Sequence, residues 1–407
     1  MKPRVVISGV GLVTPQGDSP AAFFEALCSG DFAPRPVSLF ADATLPDTQG
    51  AEIPDFDASR YLEGNLRPLD RASRLAASAG SLALKASGLE PGDDVGLVLG
   101  TMFGSLRTIS EFDRRGLTAG PNYVKPLVFA NTVICAPAGQ TAIRLGLRGV
   151  NSTLAGGSAS SLQALGYAND LVRSGRCTAV LAGGLEELSA EALTGLWSAG
   201  RLAGSSAAER PHPIPFAPGR NGFLLAEGAA LAVLEPAEQA QIRGADILGE
   251  IVGFGQANDP TNGRDPESAA LALERAIDSA LADASVDRTA IGAVFASAAG
   301  NPVTDAHEAD ALHRALGSRV PVTAIKSVTG EALGCSGALQ TLAAIQSLDR
   351  GRLPGTLGLE AVDPSLPPLD ISASTRNFKG SHALVTGLAF DGPAAALVVA
   401  GAQRETR

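Results

Sequence analysis

The stretch NSTLAGGSASSLQALGYANDL, from Asn151 to Leu171, predicts the fold of the surrounding chain. Its first residues favour a β-strand, the small residues Gly156 and Gly157 favour a tight turn, and apolar residues then recur at helical spacing. A strand, a turn and a helix in this order place Ser158 where free backbone N–H groups at a helix start point. Because a nucleophile suits such a position in an enzyme, the stretch raises the question of whether Ser158 is one.

Composition limits the classes of function that remain. The chain has 407 residues, 45% of them hydrophobic, which is enough for two core-sized units or one large duplicated domain. A formal net charge of -10 and an aromatic content of 4% argue against binding nucleic acid or an anionic membrane surface. No run of about 18 apolar residues is present, so we expect no membrane-spanning helix. The opening residues predict a β-strand rather than a signal peptide.

The four cysteines are scattered along the chain without the CxxC spacing of a zinc site. This distribution is typical of reduced thiols in a cytoplasmic protein and predicts no bound metal.

Strand and helix patterns alternate on both sides of the opening stretch. Short buried strands are predicted at 95–100 and 178–184, and a second series follows from about residue 247. That series contains strands at 291–297 and 320–325 and a helix at 334–348. Such alternation predicts a mostly parallel sheet covered by helices.

The two parts of the chain also resemble each other. SASSLQAL at 158–165 matches CSGALQTL at 335–342 with an offset of 177, and SGR at 174–176 matches RGR at 350–352 with an offset of 176. Two Ala- and Leu-rich helices can agree by chance, but two matches at nearly one offset favour a duplicated βα unit. We therefore predict two sheets around a shared helical layer, with an N-terminal half at 1–245 and a C-terminal half at 246–407.

Four further segments fall in the order and spacing of a known family. They resemble the β-ketoacyl synthases of fatty acid and polyketide assembly, and the resemblance covers essentially the whole chain. The segments are VVISGVGLVTPQG (5–17), IPFAPGRNGFLLAEGAALAVLE (214–235), IKSVTGEALGCSGAL (325–339) and GLAFDGPAAALVV (387–399). The resemblance implies an α/β, thiolase-like fold with a duplicated, five-layered αβαβα architecture.

The resemblance also implies one catalytic Cys at the strand–helix turn and two catalytic His in the second half. These three positions hold Ser158, Ser297 and Glu331, so we expect no catalytic residue. A serine hydroxyl is a much weaker nucleophile than a thiolate unless a base takes its proton. An ionised Glu331 would oppose the negative charge that malonyl decarboxylation builds on a thioester oxygen. Lys326 and Glu227 are kept, and we interpret them as a structural ion pair.

Within the family, this loss of catalytic residues resembles the chain length factor, the non-catalytic partner of a type II polyketide ketosynthase. The resemblance implies a heterodimer with a catalytic ketosynthase, an acyl carrier protein that acts through the complex, and no cofactor. The growing polyketide chain would extend in a tunnel across the interface.

By position, this tunnel is lined by Ser105, Thr108 and Phe112, which lie at i, i+3 and i+7 on one side of a helix. Phe390 is kept from the family's closing motif, where Asp391 replaces a flexible Gly. Ser105, Thr108 and Phe112 could equally be ordinary core or dimer-surface residues.

Other interpretations of the turn remain open. Ser158 in a run of small residues is often only a helix cap or filler. GGSAS also partly resembles the G-x-S-x-G elbow of α/β-hydrolases, and a hydrolase or acyltransferase that used Ser158 would need His382 or another histidine nearby. A ketosynthase-like homodimer that is active by itself is a third alternative.

Overall fold

The computed structural model describes residues 3–31, 34–39, 49–205 and 211–402, and every structural statement below concerns these residues. Their strands are β1 (Val5–Val13), β2 (Arg35–Pro36), β3 (Gln49–Ala51), β4 (Val95–Gly100), β5 (Asn151–Leu154), β6 (Ala179–Glu186), β7 (Leu225–Ala226), β8 (Gly228–Pro236), β9 (Gly249–Asn258), β10 (Ile291–Phe295), β11 (Pro321–Thr323), β12 (Arg352–Leu353), β13 (Asp370–Ile371), β14 (Arg376–Asn377), β15 (His382–Leu388) and β16 (Pro393–Gly401).

The helices alternate with these strands as the sequence predicts. They are α1 (Pro20–Ser29), α2 (Arg71–Ser87), α3 (Leu106–Ala119), α4 (Pro126–Phe129), α5 (Ala136–Leu145), α6 (Ser160–Arg173), α7 (Ala190–Ser198), α8 (Ala237–Ile242), α9 (Pro266–Ala284), α10 (Pro302–Leu316), α11 (Lys326–Thr329) and α12 (Ser336–Arg350).

Eleven of the described strands form one mixed sheet in the order β13-β11-β10-β15-β16-β9-β1-β8-β6-β4-β5. The two sheets that the sequence predicts are joined, because residues 5–7 of β1 pair antiparallel with residues 249–251 of β9. At one end, β5 pairs in parallel with β4, and no described strand pairs with its other edge.

Three layers of helices alternate with the two parts of this sheet, which gives five layers in all. Helices α6 and α12 pack on each other and on strands from both parts of the sheet, so they form the middle layer. Helix α2 covers the outer face of β1 and β8 and packs on α5, while α9 covers β9 and β16 and packs on α10. Leucines of the middle layer, such as Leu162 and Leu339, are almost completely buried, which the apolar helical spacing predicts. The predicted thiolase-like α/β architecture is confirmed.

The two turns that precede α6 and α12 are built in the same way. In each, a serine hydroxyl at the helix start, Ser160 or Ser336, accepts a hydrogen bond from the backbone N–H four residues upstream. In each, a left-handed residue opens a 3-10 turn, Gly157 with φ 59° and Leu333 with φ 44°. The two turns therefore resemble each other in backbone geometry as well as in sequence.

These equivalences fix the offset of the repeat at 176 residues. At this offset the counterpart of Ser158 is Gly334, whereas the match of SASSLQAL with CSGALQTL pairs it with Cys335. That alignment is wrong by one residue, because equal letters in two Ala- and Leu-rich helices outweigh the position of the turn. Cys335 is fully buried, and burial raises the pKa of its thiol well above the usual range, so it is a core residue.

No helix within the described ranges is long and apolar enough to cross a membrane. Those ranges also hold no group of three or more His, Cys, Asp or Glu side chains placed to share a metal ion.

Candidate active site

Ser158 occupies the turn that the sequence predicts. It lies between β5 and α6 in the 3-10 turn Gly157–Ala159, and only 5% of the residue is exposed. Its hydroxyl donates a hydrogen bond to the carbonyl oxygen of Leu388 at 3.5 Å, which is long for a hydroxyl donor. This contact gives the hydroxyl no base that could take its proton.

Ser297 comes to the same place from the other half of the sheet. It follows β10, and its hydroxyl accepts a hydrogen bond from the N–H of Leu388 at 3.1 Å. The fold therefore brings Ser158 and Ser297, 139 positions apart in sequence, to one residue of β15. Lys326 donates a second, weaker hydrogen bond to the Ser297 hydroxyl at 3.4 Å.

Glu331 completes the cluster through an ion pair with Lys326. The Lys326 Nζ atom lies 2.7 Å from Oε2 of Glu331, and the side chains are 1% and 6% exposed. The other oxygen, Oε1, accepts hydrogen bonds from the backbone N–H of Leu333 and the hydroxyl of Ser336. Both carboxylate oxygens are thus occupied, which fixes Glu331 as a structural anion.

This arrangement corrects the predicted pair between Lys326 and Glu227. Glu227 is held instead by Arg71, whose Nε and Nη2 atoms lie 2.9 and 2.6 Å from the two carboxylate oxygens. A guanidinium matches a carboxylate in this two-point geometry, which an ammonium cannot reproduce. Lys326 pairs with Glu331 because the short helix α11 and the following turn bring the two residues together.

Two buried carboxyl groups lie behind Ser297 and were given no role in the site from the sequence, where they served only to locate Ser297. Glu308 accepts hydrogen bonds from the Ser297 N–H and the Thr386 hydroxyl, and burial raises its pKa to about 7. Asp305 accepts three backbone N–H groups and lies 3.6 Å from Arg220, and burial raises its pKa to about 6. Their spacing of three residues on α10 is the signal that could have indicated a shared inward face.

The closing segment places a further negative charge beside Ser158. A Cβ atom added to Gly157 would stand 2.5 Å from Oδ1 of Asp391, so this carboxylate lies directly against the turn. Phe390, the predicted tunnel residue, packs against a buried cluster that includes Leu202, Phe223 and Leu333. The guanidinium carbon of Arg201 lies 5.0 Å from the centre of its ring.

The three other predicted tunnel residues have different surroundings. Ser105 precedes α3 and is fully buried, and its hydroxyl has no hydrogen-bond partner. Thr108 lines an open cavity with an empty volume of about 650 Å³. Phe112 contacts the ring of Phe129, with the ring centres 5.8 Å apart. Only Thr108 and Phe112 are accessible for contact with a chain or a partner protein.

His382 does not lie beside Ser158 as the hydrolase alternative requires. His382 begins β15, whereas Leu388, which contacts Ser158, ends it. Six residues of extended strand separate them by roughly 20 Å. The hydroxyl of Ser158 therefore has a carbonyl as its partner where a hydrolase would have an imidazole.

Several large hydrophobic residues are exposed on α3, α4, α5 and the segments between them, and we call these residues together the α3–α5 face. Of these helices, α5 packs against the edge strand β5. The residues of the α3–α5 face are Leu117, Tyr123, Leu127, Phe129, Val133, Ile134 and Ile143. Exposed apolar patches of this kind mark protein–protein interfaces.

Comparison with known proteins identifies relatives along the whole chain. One relative is the tetracenomycin polyketide synthase ketoacyl synthase alpha subunit of Streptomyces glaucescens, 32% identical over 428 residues that cover 99% of this chain and 98% of the relative. Another is 3-oxoacyl-(acyl-carrier-protein) synthase 2 of Vibrio harveyi, 30% identical over 408 residues that cover 98% of each protein.

Solved structures and family models agree with these relatives. The ishigamide ketosynthase/chain length factor has a TM-score of 0.92 and 26% identity and covers 99% of this chain and 100% of that one. Residues 2–240 match the family model "Beta-ketoacyl synthase, N-terminal domain", and residues 248–360 match "Beta-ketoacyl synthase, C-terminal domain". The chain belongs to the β-ketoacyl synthase family.

Proposed function

We propose that this chain is a non-catalytic, chain-length-factor-like subunit that pairs with a catalytic ketosynthase in a type II polyketide synthase. The observation that carries the proposal is the buried Lys326–Glu331 ion pair. Glu331 of this pair occupies the position where the family resemblance implies a catalytic histidine. A carboxylate held this way cannot donate a proton to a developing thioester oxyanion, and its charge opposes that oxyanion.

The surroundings of Ser158 support the same conclusion. A thioester-exchanging nucleophile needs a thiolate or a hydroxyl with a base, and among the described residues the Ser158 hydroxyl forms a hydrogen bond only to the Leu388 carbonyl. The carboxylate of Asp391 adds a negative charge beside the turn, where acyl transfer would build up another. Three separate substitutions therefore act against catalysis at one place.

The α3–α5 face and the free edge of β5 support a partner subunit. An unpaired strand edge together with exposed large hydrophobic residues invites pairing with another chain. The similarity to the ishigamide ketosynthase/chain length factor supports a ketosynthase as that partner. An acyl carrier protein would then deliver the growing chain to the complex.

In this proposal the growing chain passes Phe390 and extends along α3 toward Thr108 and Phe112. Thr108 is small and lines an open cavity, so it leaves room for the chain, and Phe112 limits the depth. Ser105, at the start of α3, is fully buried and so lies behind this path rather than on its surface. The proposal also includes the two ketosynthase-like halves predicted from the sequence, residues 1–245 and 246–407.

Native mass spectrometry of this chain alone and after co-expression with the ketosynthase encoded beside it tests the pairing. We expect a one-to-one heterodimer that extends malonyl units on a carrier protein, while this chain alone extends none. A stable homodimer that transfers acyl groups by itself would contradict the proposal and favour the independent ketosynthase-like alternative. Labelling of Ser158 by a fluorophosphonate would favour the hydrolase alternative.

A further inference from the structure

The cavity that Thr108 lines is unusually rich in charged side chains for the path of an acyl chain. Its other walls are Leu69 and six residues that carry charged groups. The six are Asp70, Arg71, Arg74, Arg107, Glu111 and Glu187. Contact of a plain hydrocarbon end with these groups would remove them from water without replacing their hydrogen bonds.

Three of these side chains have a buried polar atom without a hydrogen-bond partner. They are Oδ2 of Asp70, Nε of Arg74 and Oε2 of Glu187. The set holds both kinds of group, because Nε of Arg74 only donates, whereas Oδ2 of Asp70 accepts. The other carboxylate oxygens are engaged: Glu187 Oε1 accepts from the backbone N–H of Arg107 at 3.0 Å, and Asp70 Oδ1 caps α2.

The charges at the cavity largely cancel. Arg71 is neutralised by its two-point pair with Glu227, and Arg107 lies 3.5 Å from Glu111. Glu187 is only 3% exposed. Its burial is the main cause, and the nearby Asp70 carboxylate the second, of a pKa raised to about 8. A protonated Glu187 both donates and accepts a hydrogen bond. The cavity thus offers donors and acceptors without a dominant charge, which does not favour a free anion.

We propose that this cavity receives the distal end of the acyl chain when that end carries an uncharged group that both donates and accepts hydrogen bonds, such as a hydroxyl or carboxamide. This inference rests on the proposed function, because it requires a chain that reaches Thr108. It makes the cavity a determinant of which starter unit is retained in the full-length product. The unpartnered atoms of Asp70, Arg74 and Glu187 are buried behind the cavity wall, so these side chains rotate to reach the end group, and the hydrogen bonds then formed supply the selectivity.

A primer competition in the reconstituted heterodimer tests this inference. The primers are heptanoyl and 6-hydroxyhexanoyl thioesters of the carrier protein, which have equal numbers of heavy atoms and differ in a terminal methyl or hydroxyl. We expect full-length products to retain the hydroxyl-ended starter about tenfold more often than the methyl-ended one. Equal retention, or a preference for the methyl end, would overturn the inference.

Two variants locate the selectivity. Glu187→Leu and Arg74→Met each remove one unpartnered group and keep most of the side-chain volume, and either should abolish the preference. Two positions are used because Glu187→Leu also removes the acceptor for the Arg107 N–H and could prevent folding. Glu90→Leu on the exposed surface is the matched control and should leave the preference unchanged. A preference that persists in both folded variants would contradict the assignment.

The experiment distinguishes a failure of this inference from a failure of the proposed function on which it rests. Failure to form a heterodimer, or to extend either primer, would overturn the proposed function and with it the inference. A heterodimer that extends both primers equally would overturn the cavity inference alone.

Discussion

The Lys326 ammonium lies 2.7 Å from Oε2 of Glu331, in a place where both side chains are almost fully buried. The pair closes the site between Ser297 and the turn before α12, and Lys326 reaches the Ser297 hydroxyl on its other side. A catalytic acid or base must exchange its proton during the reaction. This pair instead keeps two fixed opposite charges that satisfy each other.

Breaking this pair should destabilise the fold strongly. Glu331→Gln leaves the Lys326 charge buried without compensation, so we expect a loss of about 3–5 kcal/mol in the free energy of unfolding. Urea denaturation followed by circular dichroism measures it. Asp93→Asn is the matched control, because Asp93 forms its pair with Arg148 at 79% and 75% exposure. That change should cost less than about 1 kcal/mol. Similar losses in the two variants would show that the pair has no structural role.

Enlarging Thr108 should shorten the product. Thr108→Trp fills the open cavity beside α3, so the polyketide should stop at least one two-carbon unit earlier, as measured by mass spectrometry of the products. Thr178→Trp at an exposed position is the control and should leave chain length unchanged. Products of normal length from the Thr108 variant would remove this residue from the tunnel.

Ser105 should respond differently, although it precedes Thr108 by only three residues. It is fully buried, so Ser105→Trp should reduce the yield of folded protein rather than shorten the product. Thermal unfolding of the purified chain measures this effect. A stable Ser105→Trp variant that makes shorter products would place Ser105 in the tunnel itself.

Stability should fall as the pH rises through neutrality. Burial raises the pKa of Glu308 from its ordinary value of 4.5 to about 7, so between these pH values the folded state binds more protons than the unfolded state. The stabilisation that protonated Glu308 gives the folded state is therefore present at low pH and lost as the pH rises through about 7. Glu308→Gln removes this titration and should flatten the decline in urea midpoint from pH 5 to 7. Glu238→Gln at the exposed surface is the control and should leave the decline unchanged. If the urea midpoint falls equally with pH in the unchanged chain and in both variants, Glu308 is not the source of the decline.

The left-handed turn before Ser158 should not accept a side chain. Gly157 has φ 59°, and a Cβ there would lie 2.5 Å from Asp391 Oδ1 and 2.8 Å from the Ala389 Cβ. We expect Gly157→Ala to lower the free energy of unfolding by at least about 1 kcal/mol. Gly139→Ala in α5 meets nothing within 4 Å and should raise it by up to about 1 kcal/mol. Denaturant midpoints compare the two, and a tolerated Gly157→Ala would contradict the close packing of Asp391.

The sequence was sufficient to predict the architecture because the pattern is regular. Apolar residues at helical spacing in α6 and α12, and short β-rich runs between glycines, give element types and their alternation. The repeat could be detected, but its register was off by one residue, since the left-handed turn residue Gly157 is matched in the second half by Leu333, a residue type that does not indicate such a turn. The joining of β1 to β9 depends on long-range pairing that no local pattern encodes.

The candidate site was predictable in part. Ser158, Ser297 and Glu331 could be located by position, and the structure brings all three to one place through Leu388 and Lys326. The partner of Lys326 could not be predicted, because two acidic residues compete for it and only the fold decides between them. The surroundings of Thr108 could not be predicted either, because residues from α2, α3 and the end of β6, which are distant in sequence, form the cavity together.

The most direct test of the central claim is the rate of chain extension by the heterodimer when this chain carries Ser158→Ala. A non-catalytic subunit predicts a rate within about twofold of the unchanged complex, and it predicts that alkylation of the partner's active-site cysteine abolishes extension. A fall of about a thousandfold or more in the Ser158→Ala complex would show that Ser158 is a working nucleophile and would contradict the account.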